Sequence, residues 1–379
     1  MKKQLLVILL FCLGTTSISI AQADKAEAGL SQIMKDDKVV GFSVAVVKNN
    51  KIIYTKSMGM QDIEKKLPLT DKAIFRIASI SKSFSATSIM QLIEAGKLSL
   101  DDDFSELVGF KVRNPKFPNT VITLRMIMSH TSSVNDSQGY FSFDVINPAK
   151  NPNWEKCYNN YEPGKGYMYC NLNFNMTGAV IERVSGERFD QYVKHHILDP
   201  LGIYGGYCVD SLDKNRFATL YEYNKESAKL NPSPAAYNPR SEEVKNYVLG
   251  ETTPIFSPTG GLKISATDLA TYMIMHARHG KYKGGRIISK NSSIQMQTKL
   301  SDDENYGLAL ETTDKLIPGE TMCGHTGSAY GLYSAMFFNV KKKFGIVVIT
   351  NGCGSYFDSG FNEVIKKAVN TLHEAFIKE

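Results

Sequence analysis

Ser79, Ile80, Ser81 and Lys82 follow an apolar run and open an apolar helical pattern. Residues three apart share a helix face, so the Ser79 hydroxyl and the Lys82 amine can enter one pocket. A serine hydroxyl attacks a carbonyl only when a base takes its proton. A neighbouring lysine can be that base, or can lower the pKa of a second group that is. Spacing alone does not single this pair out, because Ser211-Leu212-Asp213-Lys214 repeats it. Its company does. Tyr169-Cys170-Asn171 follows the turn at Pro163-Gly164 and precedes a helix, and His325-Thr326-Gly327 opens a pair of strands. Tyr158-Asn159-Asn160 has the same Tyr-x-Asn spacing, and only context selects Tyr169. The plainer readings are a helix start for Ser79, a buried aromatic for Tyr169 and a strand histidine for His325. The three motifs together favour catalysis.

These groups need elements to hold them. Residues 25–37 read as a helix with Leu30, Ile33 and Met34 on one face. Gly41 to Lys48 alternates as a strand, Asn49-Asn50 signals a hairpin turn, and Ile52 to Met58 returns. Residues 70–285 then read as helices and long loops. Ser79 to Ala95 is helical with Gly96 at its end, and Met176 to Val184 is helical up to Gly186. Ser265-Ala266-Thr267-Asp268 is a capping box before an apolar helix ending near Gly280. Strands return at Leu332 to Val340 and Phe344 to Asn351, with the lysines 341–343 at a solvated tip. Phe361, Val364, Ile365, Val369, Leu372 and Phe376 mark a C-terminal amphipathic helix. The expected architecture is one antiparallel sheet from both chain ends, covered by the terminal helices, with a helical insertion and a cleft between the two parts.

Composition narrows the function classes. The chain has 379 residues, 42% hydrophobic and 22% charged, enough for two domains or one large domain with an insertion. Lys2 and Lys3, an apolar run from Leu5 to Leu13 and the small-residue site Ala21-Gln22-Ala23 read as a secretory signal, cut after Ala23. The apolar run is too short to span a bilayer, and no other stretch is apolar enough. Loss of the two lysines lowers the formal net charge from +6 to +4. No basic stripe interleaved with aromatics points to nucleic acid. Cys157, Cys170, Cys208, Cys323 and Cys353 remain, an odd count, and the first two are close enough in sequence to bridge. His195-His196 is an adjacent pair whose rings should diverge, and His276 with His279 lacks a third ligand, so neither reads as a metal site. His130 reads as a structural hydrogen-bonder.

With these motifs in order, the chain resembles the serine β-lactamase and penicillin-binding protein superfamily, nearest the class C β-lactamase, D,D-peptidase and family VIII esterase branch. Phe75-Arg76-Ile77-Ala78, His130-Thr131-Ser132-Ser133, Pro200-Leu201-Gly202 and Gly260-Gly261-Leu262 extend the likeness over nearly all of the mature chain. The resemblance implies a β-lactamase/transpeptidase-like α+β fold with a five-stranded antiparallel sheet. The sheet domain would comprise residues 24–69 and 286–379, the helical insertion 70–285, and the signal 1–23. It implies that Ser79 forms an acyl-enzyme, that Lys82 and Tyr169 share the proton work in an order left open, and that Asn171, His325, Thr326 and Gly327 orient the substrate. The backbone N–H groups of Ser79 and Ser328 would form the oxyanion hole. No cofactor or metal is implied.

His325 departs from most β-lactamases, which carry lysine there. A histidine with an ordinary pKa near ~6.5 is mostly neutral at pH 7, so carboxylate capture should be weak and should fade as pH rises through that titration. Cys170 is a second departure, with its side chain expected to point away from the Tyr169–Asn171 face. The expected protein is an exported, periplasmic or secreted monomer that hydrolyses small-molecule or peptide substrates bearing an ester, amide or peptide bond, with D-amino-acid and β-lactam-like compounds among them. It has no nucleic-acid partner and no membrane span. One alternative passes the acyl group to an alcohol or amine; another, of a different class, is a non-catalytic sensor. Specificity should lie in the loops around 135–165 and 205–255.

Overall fold

The computed structural model describes residues 20–301 and 303–378. Helix α1 (Ile20–Asp36) turns Ala26, Leu30 and Ile33 inward. Strands β1 (Gly41–Lys48) and β2 (Lys51–Asp62) form a hairpin whose Asn49 and Asn50 both take positive φ, 53° and 60°. Asparagine tolerates that region because its short polar side chain bonds locally. Strand β3 (Leu67–Pro68) is brief. Helices α2 (Ser81–Glu94), α3 (Asn171–Ser185) and α4 (Ala266–Ala277) follow, each separated by long connections. Strands β4 (Glu311–Thr313), β5 (Met322–Ala329), β6 (Leu332–Asn339) and β7 (Phe344–Thr350) complete the sheet, and α5 (Glu363–Phe376) closes the described chain. Residues 1–19, the greater part of the expected signal, lie outside the described residues, and Ile20–Ala23 form the start of α1.

The sheet order is β4-β5-β6-β7-β1-β2-β3, antiparallel throughout. Five long strands form its centre, as expected, and the short β3 and β4 are added at the edges. One face packs Val44, Val46, Phe337, Ile346 and Val348 against Leu30, Ile365, Val369 and Leu372 of the terminal helices. Each such apolar side chain contributes about 1.5–3 kcal/mol when buried. Ala45, Val47, Met336, Phe338, Val347 and Ile349 on the opposite face join the core that holds Leu269, Ala270 and Met273 of α4. Helix α4 therefore packs on the sheet, although its place in the sequence groups it with the helical middle. Ser265 caps it, its hydroxyl accepting from the Asp268 amide at 3.1 Å. The middle is also less purely helical than expected. Tyr221–Asn224 pairs with Lys229–Pro232 as a hairpin, and Lys263–Ile264 pairs with both Phe75–Arg76 and Gly205–Gly206. That small ladder is what sets the 258–261 turn beside Ser79.

The two cysteines close in sequence do not bridge. All five described cysteines are free and buried. The Cys157 thiol points at the Val145 carbonyl, 3.3 Å away, and the Cys170 thiol at Asp136, 3.2 Å away.

Candidate active site

Ser79 lies in a 3-10 turn, Ala78–Ile80, that runs directly into α2. Ala78 has φ 52°, a conformation unfavourable for a residue with a Cβ, so the backbone is strained one residue before the hydroxyl. Neighbouring strands hold it there. The Ile77 amide donates to Leu262 O at 3.0 Å, and the Ser334 hydroxyl donates to Ile77 O at 3.2 Å. Gly327 of β5 passes so near that a Cβ on it would stand 2.2 Å from Ile77 O. Only glycine lets the strand carrying the third motif lie against the segment carrying the first.

Lys82, the second residue of α2, is fully buried. Its Nζ reaches Ser79 Oγ at 3.1 Å, Asn171 Oδ1 at 2.8 Å and the Thr259 carbonyl at 3.1 Å. Burial drives its pKa down to about 7, with Asp136 opposing. An ammonium would satisfy all three acceptors. The neutral amine has two donors and a lone pair, and the lone pair is then free for the Ser79 proton.

Tyr169 stacks its ring 4.6 Å from Lys82 Nζ. Its hydroxyl is buried and completes no hydrogen bond among the described residues. Burial raises its pKa far above the ordinary tyrosine value, and the nearby Ser79 hydroxyl offsets this only slightly. Near neutrality Lys82 can thus be free base, whereas Tyr169 stays a neutral phenol.

Asn171 is the first residue of α3 rather than part of an extended segment. Asp136, which sequence reasoning missed, fixes it. The Asp136 carboxylate accepts from the Asn171 amide at 2.8 Å, the Asn171 Nδ2 at 2.9 Å and the Leu172 amide at 2.9 Å. It thus caps α3 from a loop 35 positions upstream, where the helix dipole favours an anion. It also dictates which end of the Asn171 amide faces Lys82, and the Thr259 hydroxyl bonds the same Oδ1 at 2.9 Å. No local pattern in the sequence ties Asp136 or Thr259 to the site. His130 braces the same segment, as its structural reading required. Its Nδ1 accepts from the Cys170 amide at 3.2 Å, and its ring lies 4.4 Å from that of Tyr169. The Cys170 thiol joins the Asp136 side of this network, away from Ser79.

His325 is only 4% exposed. Its Nδ1–H donates to Thr326 O at 2.5 Å, which leaves Nε2 to accept from the Tyr306 hydroxyl at 3.0 Å. Burial first, and then Lys82, push its pKa down to about 3. The expected titration near pH 6.5 is therefore absent, and the ring is neutral at all ordinary pH. Tyr306 is a further site residue without a sequence signal.

A cavity of about 670 Å³ opens over Ser79. Tyr169, Asn171 and Thr259 line it on one side; His325, Thr326 and Ser328 of β5 line it on the other. Tyr140 and Phe141 enter from the first of the two expected specificity loops, and Glu222 from the second. The decoys fall elsewhere. Ser211 and Lys214 are exposed on separate short turns, and Tyr158 is buried outside this cavity. His195 and His196 do not diverge: both reach the Glu187 carboxylate, at 2.5 Å and 2.9 Å, on the surface.

The chain is similar to known proteins in sequence and in fold. The chain is similar to protein flp of Staphylococcus aureus strain MRSA252, 24% identical over 328 residues, which cover 83% of this chain and 60% of that protein. It thus spans less than two thirds of that relative. Among solved structures it superposes on an octameric penicillin-binding protein homologue from Pyrococcus abyssi with a TM-score of 0.72 and 27% identity, over 93% of this chain and 79% of the other. The D-amino acid amidase of Ochrobactrum anthropi gives a TM-score of 0.71 at 20% identity over 94% of this chain and 98% of the other. EstCE1, a hydrolase with promiscuous acyltransferase activity, gives 0.69 at 19% over 95% and 100%. The family model described as Beta-lactamase matches residues 26–367, and on that span the chain belongs to the β-lactamase family.

Proposed function

We propose that the protein is an exported acyl-serine hydrolase of ester, amide or peptide bonds. Neutral Lys82 takes the Ser79 proton as Oγ attacks the carbonyl. The backbone N–H groups of Ser79 and Ser328 hold the oxyanion, each worth roughly 3 kcal/mol in the transition state. Protonated Lys82, relayed by the Tyr169 phenol, returns the proton to the leaving group. The acyl-enzyme is then hydrolysed by a water activated in the same way. Asn171 keeps Lys82 aimed at Ser79, and His325, Thr326 and Gly327 form the wall along which the substrate lies. The observation that carries this reading is the fully buried Lys82 amine, 3.1 Å from Ser79 Oγ, with its pKa lowered to about 7.

A fluorophosphonate or penicillin probe, followed by mass mapping, tests it. Stoichiometric labelling at Ser79 that disappears in Ser79→Ala is expected. No labelling of the unaltered protein at any probe concentration would leave only the non-catalytic reading. The volume over Ser79 leaves room for an acceptor beside the acyl group, which favours acyl transfer as the second reading. Product analysis with added alcohols and amines separates transfer from hydrolysis. Export rests on the first 23 residues, and the N-terminus of the native protein tests it.

A further inference from the structure

The charges around the cleft are lopsided. Glu222 and Glu311 line the same cavity as Ser79. Glu311 also lines the adjoining depression of about 310 Å³, together with Glu304, Asp314 and Lys315. The Glu311 carboxylate is partly buried and accepts no hydrogen bond and makes no ion pair among the described residues. Burial first, and then the Glu304 charge, push its pKa up to about 7; Lys315 opposes this without pairing with it, so a bound cation is what would hold Glu311 ionised near neutrality. A carboxyl on the wall of a ligand cavity, with no protein cation paired to it, is a group that a bound cation can ionise and pair with.

The cations at the cleft cannot fill that role. Arg76 also lines the cavity, but its guanidinium donates to Gly260 O at 3.1 Å and Ala236 O at 3.5 Å, lies 4.9 Å over the Tyr330 ring and makes no ion pair with Glu311. Lys82 is engaged behind Ser79. His325, between Glu311 and the nucleophile along the sheet, is neutral. Much of the remaining wall is aromatic, with Tyr140, Phe141, Tyr167 and Tyr306 in the lining. Aromatic faces attract cations and gain nothing from carboxylates.

We infer that the substrate carries an ammonium or another organic cation, which Glu311 binds on the β4 side of the cleft while its acyl carbon meets Ser79. The inference rests on the acyl-serine reading and names the substrate class for it. Glu311 acts by charge pairing and touches the substrate away from the reacting atoms. Glu222 reinforces the field from the opposite rim.

The test uses three esters of one size, differing only in a terminal ammonium, a neutral hydroxyl or a carboxylate. In the unaltered protein kcat/KM should fall in that order, with the ammonium ester ahead of the carboxylate ester by about tenfold or more, the size of a charge pair in a partly desolvated cleft. Glu311→Gln should compress that ratio by about the same factor. The ratio is the readout, so a general loss of folded enzyme cancels. A carboxylate ester hydrolysed as fast as the ammonium ester, or an unchanged ratio in Glu311→Gln, overturns the assignment of Glu311. Fluorophosphonate labelling of Ser79 in the same preparation separates the two layers. Labelling without charge preference sinks only this inference, and no labelling sinks the acyl-serine reading with it.

Discussion

Ser79-x-x-Lys82 and Ser211-x-x-Lys214 have the same spacing and opposite fates. At Ser79 the chain passes from a 3-10 turn straight into α2, so the lysine folds back beside the hydroxyl and both are enclosed. At Ser211 the 3-10 turn ends, Leu212 and Asp213 are extended, and a new turn begins at Lys214. The Ser211 hydroxyl returns to Cys208 O at 2.9 Å, and the Lys214 side chain is left in water. The burial that disfavours the charged form of Lys82 has no counterpart there. The difference teaches that the pair of residue types supplies only the atoms. Continuous helix supplies their approach, and burial lowers the pKa of the amine.

The contrast can be broken most sharply at the hydroxyls. Ser79→Ala should lower kcat by roughly 10⁴-fold or more and abolish acyl labelling, whereas Ser211→Ala should leave both unchanged. Intact-mass and steady-state measurements on the two variants decide it, and loss of activity in Ser211→Ala would refute the comparison. The lysines come next. Lys82→Ala should cost about 10²–10⁴-fold, the usual contribution of a positioned base, with Lys214→Ala silent.

The pH profile sharpens the claim about burial. Because the Lys82 pKa is lowered to about 7, its reactive neutral form gains population as pH rises. The kcat/KM of the unaltered protein should therefore climb about tenfold per pH unit below about 7 and level off above it. His325, held down near 3, should add no further ionisation between pH 5 and 9. A profile still rising at pH 10 would mean that Lys82 keeps the pKa of an exposed lysine.

The smallest expected effect concerns Asp136. Its charge raises the Lys82 pKa against the dominant pull of burial. Asp136→Asn should thus move the acid limb of kcat/KM to lower pH, with a loss of about tenfold in rate from the freed Asn171 amide. A loss of rate with an unmoved limb would assign Asp136 to helix capping alone.

Much of the frame was legible from one chain. The Asn49-Asn50 hairpin, the Ser265 cap, the amphipathic α5 and four of the five long strands, all but Met322–Ala329, follow from local preferences acting on neighbouring residues. The short strands at Tyr221–Asn224, Lys263–Ile264 and Glu311–Thr313 were not legible, because pieces of two to four residues exist only through their partners. The same division runs through the site. Ser79, Lys82, Tyr169, Asn171 and His325 stand in short motifs, and the sequence singled them out as candidates that the structure brings together. Asp136, Thr259, Tyr306 and Glu311 stand in none and were not singled out.

By itself the sequence determined which atoms were available: a hydroxyl and an amine one helical turn apart, a phenol two residues before an amide, and an imidazole where a permanent cation would have been. These are matters of residue type and of spacing under about five residues, where the period of the backbone decides who shares a face. Only the tertiary structure decided what those atoms are. Ionisation depends on solvent exclusion and on charges brought in from distant stretches. Lys82 therefore acquires its lowered pKa, and His325 a neutral ring held by two hydrogen bonds, only once the sheet, α3 and the 258–261 turn have closed around them.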